Sequence, residues 1–226
     1  MAEPQPAARI VPIEQTPLRV QIADMLRRAI ITGTLRPGAV LVETALAEQM
    51  SVSRAPIREA IQILENDGLI ETVAYKGKRV KPLTPREVEE TYGLRAVFEA
   101  LAVRRILESR VPLDALWEQC RAMEAAAVAG DREALTAADQ AFHRTLIRLS
   151  DHDLLLTLWN SLYLRIHQIM ALRNTSQPNL AEIAANHAPI VRAIEAGDAE
   201  QAVRLISEHT RSLADLDPAS IAGPNA

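Results

Sequence analysis

Asp139 and His143 stand four residues apart in a stretch of helical periodicity, so their side chains share one face of a helix. His187 and His209 fall in two later helical stretches. Three imidazoles and one carboxylate, drawn from three helices of a bundle, can meet around one divalent cation. A nitrogen–oxygen set of this kind accepts Zn, Ni, Mn or Co, with Zn first among them. Spacing alone leaves the plainer alternative open, that these histidines are solvated or hydrogen-bonded. His152, between Asp151 and Asp153 at a helix break, suits a cap or a surface position. His167 falls mid-helix, where it can line a pocket.

A second group of residues is cationic. Arg54 and Arg58 are also four apart, and Ser53 precedes them as an N-cap. A recognition helix enters the major groove by its N-terminus, so residues of its first turns reach bases and phosphates. Either guanidinium can pair with guanine O6/N7 or with phosphate, and Ser53 can add a phosphate bond. All three lysines of the chain, Lys76, Lys78 and Lys81, fall within six positions. Lys76, Lys78 and Arg79 are expected to meet phosphates or an adjacent groove. The alternative is a capped helix with solvated charges.

The elements that position these residues follow from hydrophobic period and turn residues. Leu18, Ile22, Met25, Leu26, Ala29 and Ile30 recur at helical spacing, which predicts a helix over 18–32, ended by Gly33 and the Pro37-Gly38 turn. A short helix over 43–50 and a third helix from Ser53 to a Gly68 cap follow. The segment 69–83, with Gly77 at a polar tip, reads as a β-hairpin. Three helices and a hairpin in about 65 residues outline a winged helix-turn-helix. Thr84 as cap, Pro85 at the first helical position and Glu87 three beyond the cap open the next region. Helices are predicted at 85–109, 113–129, 131–149, 152–174, 179–196 and 198–214, joined by short loops that imply an antiparallel bundle. The division is an N-terminal arm (1–16), a winged domain (17–82), a helical effector and metal domain that also dimerises (84–214) and a tail (215–226). The fold class is mainly α with one small hairpin.

Composition agrees with this outline. The chain has 226 residues, 48 % hydrophobic and only 3 % aromatic, which favours helices over sheets. The formal net charge of -4 divides into +1 over residues 1–80 and -5 over 81–226. An acidic total does not exclude DNA binding, which needs only a local positive face. The lone Cys120 excludes an internal disulfide and a Cys-rich zinc site. No run approaches the ~18 apolar residues of a membrane span, and Glu3, Pro4, Pro6, Glu14 and Asp24 do not read as a signal peptide. The expectation is a cytoplasmic protein with no membrane partner.

Residues 17–81 resemble the DNA-binding domain of the GntR family of bacterial transcription regulators. The resemblance rests on Leu26, Ile30, Gly33, Pro37-Gly38, Leu46-Ala47, Val52-Ser53-Arg54, Ile57-Arg58-Glu59-Ala60, Gly68-Leu69-Ile70 and Gly77. It implies operator contacts at the positions of Thr44, Arg54 and Arg58, with Gly77 at the wing tip that reaches the minor groove. Thr44 and Ala55 are departures, one shorter than the family's arginine and the other lacking its usual threonine hydroxyl. Residues 84–214 resemble the FCD domain of the FadR subfamily, through "LRAVFEALAVR", "DQAFHRTLI", "EIAANHAPIVRAIEAGD" and "SEHTRS". Six helices look like the shorter VanR-type layout. The resemblance implies metal binding by Asp139, His143, His187 and His209. Pro189, two residues after His187, is expected to kink its helix.

The expected function is a non-enzymatic, homodimeric transcription regulator, a repressor reading a short inverted repeat of double-stranded operator DNA. A divalent ion with open positions can take a small organic acid, with an arginine completing the clamp. Arg95 is the first candidate for that role, then Arg148, Arg165 and the pocket residue His167. Two alternatives are a regulator in which the ion itself is the signal, and a metal-dependent enzyme or scaffold with vestigial DNA binding.

Overall fold

The structure, a computed structural model, describes residues 16–212, apart from the side chains of Thr175, Ser176 and Ser212. The arm, but for Thr16, and the tail lie outside the described residues.

Helix α1 (Leu18–Ile31) buries Ile22, Ala23, Leu26 and Ile30 against α3 (Arg54–Asn66). The latter contributes Ile57, Ala60, Ile61 and Leu64 from one face. The short α2 (Glu43–Gln49) packs on α3. The hairpin is β2 (Ile70–Val73) with β3 (Gly77–Val80), antiparallel in the register Ile70–Val80 and Val73–Gly77. A two-residue strand not anticipated from sequence, β1 (Val40–Leu41), pairs with β3. The hairpin is therefore a three-stranded sheet in the order β1-β3-β2. Two residues carry too little periodicity to read as a strand, and only β3 alongside makes them one.

The bundle opens with α4 (Pro85–Ser109), whose start is the expected capping box. Glu87 N–H donates to Thr84 Oγ1 at 3.1 Å, and Thr84 N–H donates to Glu87 Oε2 at 3.1 Å. Then come α5 (Asp114–Ala129), α6 (Arg132–Leu149) and α7 (Asp153–Ser176). Gly130 turns the chain at φ 69°, and Asp131 caps α6 by accepting from Ala134 N–H. His152 caps α7, its Nδ1 accepting from Leu155 N–H at 3.3 Å.

The single helix expected over 179–196 is two, α8 (Leu180–Ala185) and α9 (Ala188–Glu195), so the helices after Thr84 number seven through α10 (Ala199–Ser212) rather than six. Pro189 is the cause. It lacks the N–H an unbroken helix would use, and its ring would meet the carbonyl four residues back. In the first turn of a new helix neither matters. The break leaves Asn186 and His187 between α8 and α9, with His187 at the N-cap position of α9.

The winged region and the bundle have separate hydrophobic clusters, and α7 touches both. Its Leu164 packs against the N-terminal core, and Leu172 lies against the turn at Gly33. Because the capping box fixes the junction, Thr84→Ala should destabilise the bundle by about 1 kcal/mol. Urea unfolding followed by circular dichroism measures this as a lower midpoint at unchanged slope.

Candidate metal centre and nucleic-acid interface

Asp139 and His143 project from α6 into the bundle, where His187 from the α8–α9 break and His209 from α10 meet them. One ligand atom from each of the four lies within 4.8 Å of all the others, and all four residues are buried. His187 Nε2 is 3.0 Å and His143 Nε2 3.3 Å from Asp139 Oδ1, and the Nε2 atoms of His143 and His209 are 3.3 Å apart. Phe142 closes one side, its ring edge-on to both His143 and His187.

Hydrogen bonds behind the cluster set the tautomers. Glu99 Oε2, on α4, accepts from His143 Nδ1 at 3.0 Å. The carbonyl of Ile183 accepts from His187 Nδ1 at 3.0 Å. With their protons committed to Nδ1, both neutral imidazoles turn an Nε2 lone pair toward the Asp139 carboxylate. Lone pairs converging on lone pairs without a donor are unfavourable, and a cation between them removes the conflict. The donor set thus fits a divalent ion. Burial pushes Asp139 toward the neutral acid, but His143 and His187 outweigh it and hold the carboxyl well below its usual range, because without an ion any second proton taken up by either ring lies on the Nε2 that faces Asp139 Oδ1. Burial above all, reinforced by the crowding of His187 and His143 against the ring, pushes His209 well below the ordinary imidazole range, which favours its neutral, ligating form.

Around the cluster lie residues with unequal claims. Arg95 is fully buried one turn before Glu99, and its Nε donates to Glu99 Oε1 at 2.7 Å. Its Nη1 and Nη2 are buried without a hydrogen-bond partner. His167 faces the same interior. Burial first, then the charge of Arg95, pushes its imidazole down to about 3, and its Nε2 is unpartnered. Two expected effector residues lie elsewhere. Arg148 is exposed, since five residues past His143 the helix has turned it toward solvent. Arg165 donates to Gln168 Oε1 at 2.9 Å, and the acids that face it are Glu87 and Glu71 at the junction with the winged region. Sequence reasoning missed Asn174, whose Nδ2 donates to Asp139 Oδ2 at 3.0 Å. It also missed Tyr92 and Arg173, both of which act on Asp139 electrostatically. Arg95 and Glu99 carry a readable signal: an i,i+4 charge pair on the apolar stripe of Tyr92, Ala96 and Val103. Asn174 and Arg173 carry none.

In the winged region Arg54 and Arg58 share the exposed face at the start of α3 (side chains 58 % and 67 % exposed) and converge on Glu43 of α2, at 3.4 and 3.1 Å. Glu43 thereby holds both guanidinium groups over one patch. The Ser53 side chain makes no capping bond, so its hydroxyl is not spent on the helix. Thr44 is exposed on α2. At the wing tip Lys76 and Gly77 are exposed, Gly77 at φ 83°. Tyr75 beside them is fully exposed, an aromatic that sequence reasoning passed over. Lys78 is engaged already: its Nζ donates to Glu65 at 2.5 Å and to Thr72 at 2.7 Å, pinning the wing to α3.

Two family profiles match the chain: "Bacterial regulatory proteins, gntR family" over residues 18–80 and "FCD domain" over residues 90–212. The chain belongs to the GntR family of bacterial regulatory proteins, with an FCD domain at its C-terminal end. A relative in Paenarthrobacter nicotinovorans, named "Probable D-xylose utilization operon transcriptional repressor", is 32 % identical over 87 % of each chain. The "Gluconate operon transcriptional repressor" of Bacillus licheniformis is 28 % identical over 84 % of this chain and 81 % of its own. Among solved structures, a GntR transcriptional regulator of Rhodococcus sp. RHA1 superposes with a TM-score of 0.76 at 26 % identity, covering 88 % of this chain and 96 % of that one. These relatives are named as transcriptional regulators, not enzymes, and no helix among the described residues is long and apolar enough to cross a membrane.

For this GntR-family chain, Arg54→Ala and Arg58→Ala should each lose about 1–3 kcal/mol of specific binding to a DNA site selected from random sequence. Gel-shift titration at fixed salt measures it. Lys76→Ala should lower the slope of log affinity against log salt by about 0.9, while Lys78→Ala, whose ammonium Glu65 already neutralises, should change it less.

Proposed function

We propose that the protein is a cytoplasmic, homodimeric transcription repressor of the FadR subfamily that binds a short inverted repeat, and that a divalent ion held by Asp139, His143, His187 and His209 is the signal that sets its operator affinity. The convergence of one carboxylate and three imidazoles in a buried site carries this reading. Zn is the first expectation, with Ni, Mn or Co accepted by the same ligands. When bound, the ion supplies a cationic centre that only a particular arrangement of α6, α9 and α10 can surround. Switching follows if that arrangement and the DNA-competent one differ in ion affinity. In the winged region Arg54 and Arg58 would read bases. Ser53, Thr44, Gly77 and Lys76 would meet backbone or groove, and Lys78 would act through the wing's attachment.

A second reading makes the ion a platform for a small carboxylate or hydroxy-acid effector clamped by Arg95. Its support is specific: two guanidinium nitrogens buried without an acceptor, next to unpartnered donors on Tyr92 and His167. Relatives named for D-xylose and gluconate operons suit a sugar-derived acid.

Elemental analysis of the purified protein should find one divalent ion per chain, and a His143→Ala/His209→Ala variant should have lost it. Full occupancy in that variant would overturn the ligand assignment. Ion affinity should fall only as pH drops well below 6.5, where the depressed His209 imidazole takes up a proton and can no longer ligate. Operator binding followed during chelation separates the two readings. If removing the ion alone switches affinity and restoring it reverses the switch, the ion is the signal. If only added gluconate or xylonate moves affinity, and Arg95→Lys abolishes that response, the ion is the platform.

A further inference from the structure

The two oxygens of Asp139 are divided between different neighbours. Oδ1 faces the imidazoles, with His187 Nε2 at 3.0 Å and His143 Nε2 at 3.3 Å. Oδ2 accepts from Asn174 Nδ2 at 3.0 Å. A carboxylate ligand is oriented by the hydrogen bond on the oxygen it does not offer, and here that bond comes from α7. Asn174 is fully buried, and its own Oδ1 has no hydrogen-bond partner. A buried amide left half satisfied is a cost to the fold. Turning it over would set its oxygen against the ionised Asp139 carboxylate, so Asp139 dictates which way it faces. Packing gives no reason for an amide at this position, and orientation of a metal ligand does.

The main chain of the same residue is held by a second partner. Arg132, at the start of α6, donates through Nη1 to the carbonyl of Asn174 and, at 2.7 Å, to that of Gln177. Carbonyls at a helix C-terminus have no acceptor role inside the helix, so the guanidinium takes up groups the end of α7 leaves open. Thr136, one turn further along α6, also accepts from Asn174 Nδ2, at 3.4 Å. Arg132 and Thr136 both line a cleft of about 440 Å³ between the bundle and the winged region, which contributes Ile31, Thr32 and Thr34. Ala171 of α7 lines it too, and the next residue, Leu172, lies against the turn at Gly33. From Ala171 to Asn174 is a rise of about 4.5 Å along one helix. Within that length α7 touches the winged region at one end and a metal ligand at the other.

We propose that Asn174 is a positioning residue for the metal centre and its link to the winged region: its amide sets the Asp139 carboxylate for the ion, and Arg132, holding the carbonyl of the same residue at the cleft, ties the state of Asp139 to the seat of the Gly33 turn. The inference rests on the ion reading of the proposed function and deepens it by naming the residues through which occupancy reaches the winged region. An ion drawing on Oδ1 changes what Oδ2 offers to Nδ2. Side chain and carbonyl of Asn174 belong to one residue, so its displacement is felt by Arg132 in the cleft wall. Such coupling requires the ion to bind two arrangements of the α7 end unequally, and the cleft is where the difference is read.

Titration of the whole chain with Co²⁺ tests the positioning role, because the visible absorption of the bound ion reports its ligand geometry. Asn174→Leu, which keeps the bulk and removes the donor, and the smaller Asn174→Ala should each bind Co²⁺ about tenfold to a hundredfold more weakly, with shifted absorption bands and an unchanged circular dichroism spectrum. Arg132→Ala should bind Co²⁺ nearly as the wild type does. Hydrogen exchange tests the link. The amides of Gly33 and Leu35 donate to the carbonyls of Ile30 and Ala29, and Co²⁺ should slow their exchange about twofold or more in the wild type and leave it unchanged in Arg132→Ala. Wild-type Co²⁺ affinity and absorption in both Asn174 variants would overturn the positioning role and leave the four-ligand assignment standing. Slowing that persists in Arg132→Ala, or that is absent from the wild type, would overturn the link to the winged region. A wild-type chain that binds no Co²⁺ would overturn both this inference and the ion reading beneath it.

Discussion

Glu99 is a carboxylate removed entirely from water, and the centre of the bundle is arranged around satisfying it. Arg95 donates from one turn earlier on α4, His143 from α6 at 3.0 Å, and Thr210 Oγ1 from α10 at 3.3 Å. Burial acts to raise its pKa, yet Arg95 and His143 bring it down to about 2, so it stays charged across the physiological range. Burying an ion costs several kcal/mol unless its partners are well placed, and removing one partner costs about 3–5 kcal/mol. Three helices are therefore held in one relative position. The same bond that satisfies Glu99 fixes the His143 tautomer and turns Nε2 toward Asp139. Stability of the bundle and readiness of the metal site come from one interaction.

If the proposed switch operates, α7 is the element that would carry it. Helix α7 carries His167 and Asn174 toward the metal cluster, and Leu164, Arg165 and Leu172 toward the winged region or its junction. A rigid helix packed against two hydrophobic clusters would transmit a shift from one to the other if both clusters have two arrangements. The surface cavity of about 270 Å³ lined by Asn186, Pro189, Leu205, Glu208 and His209 borders the cluster at its least buried ligand. Entry of an ion or effector from that side would first disturb α9 and α10, whose positions Glu99 links to α4 through Thr210.

Much of the fold was legible because its signals are local. Helix period, the Thr84-Pro85-Glu87 box and the Gly-Asp turns each depend on residues within one turn of each other. The grouping of Asp139 with His143 follows from helical spacing alone; ligand chemistry adds His187 and His209 from two later helical stretches as a possible set, and the family resemblance implies that set. The α8–α9 break was half visible. Pro189 announced a disturbance, but whether a proline kinks a helix or ends it depends on whether the freed groups find other partners, and that is decided by packing. Sequence shows the charge of Lys78 and not its neighbour Glu65, which lies thirteen residues away in the chain and 2.5 Å away in space.

Sequence by itself determined the family, the order of elements, the arginine face of α3 and the identity of the four candidate ligands. Tertiary structure decided which charges are available and which are already spent. Arg148 turns to solvent, Arg165 turns to the domain junction with its Nη2 buried there unpaired, and Arg95 keeps two unpaired nitrogens in the interior near the cluster. The three are equal as letters. They differ because a buried cation must be matched by neighbours drawn from distant parts of the chain, and only the folded chain supplies or withholds them.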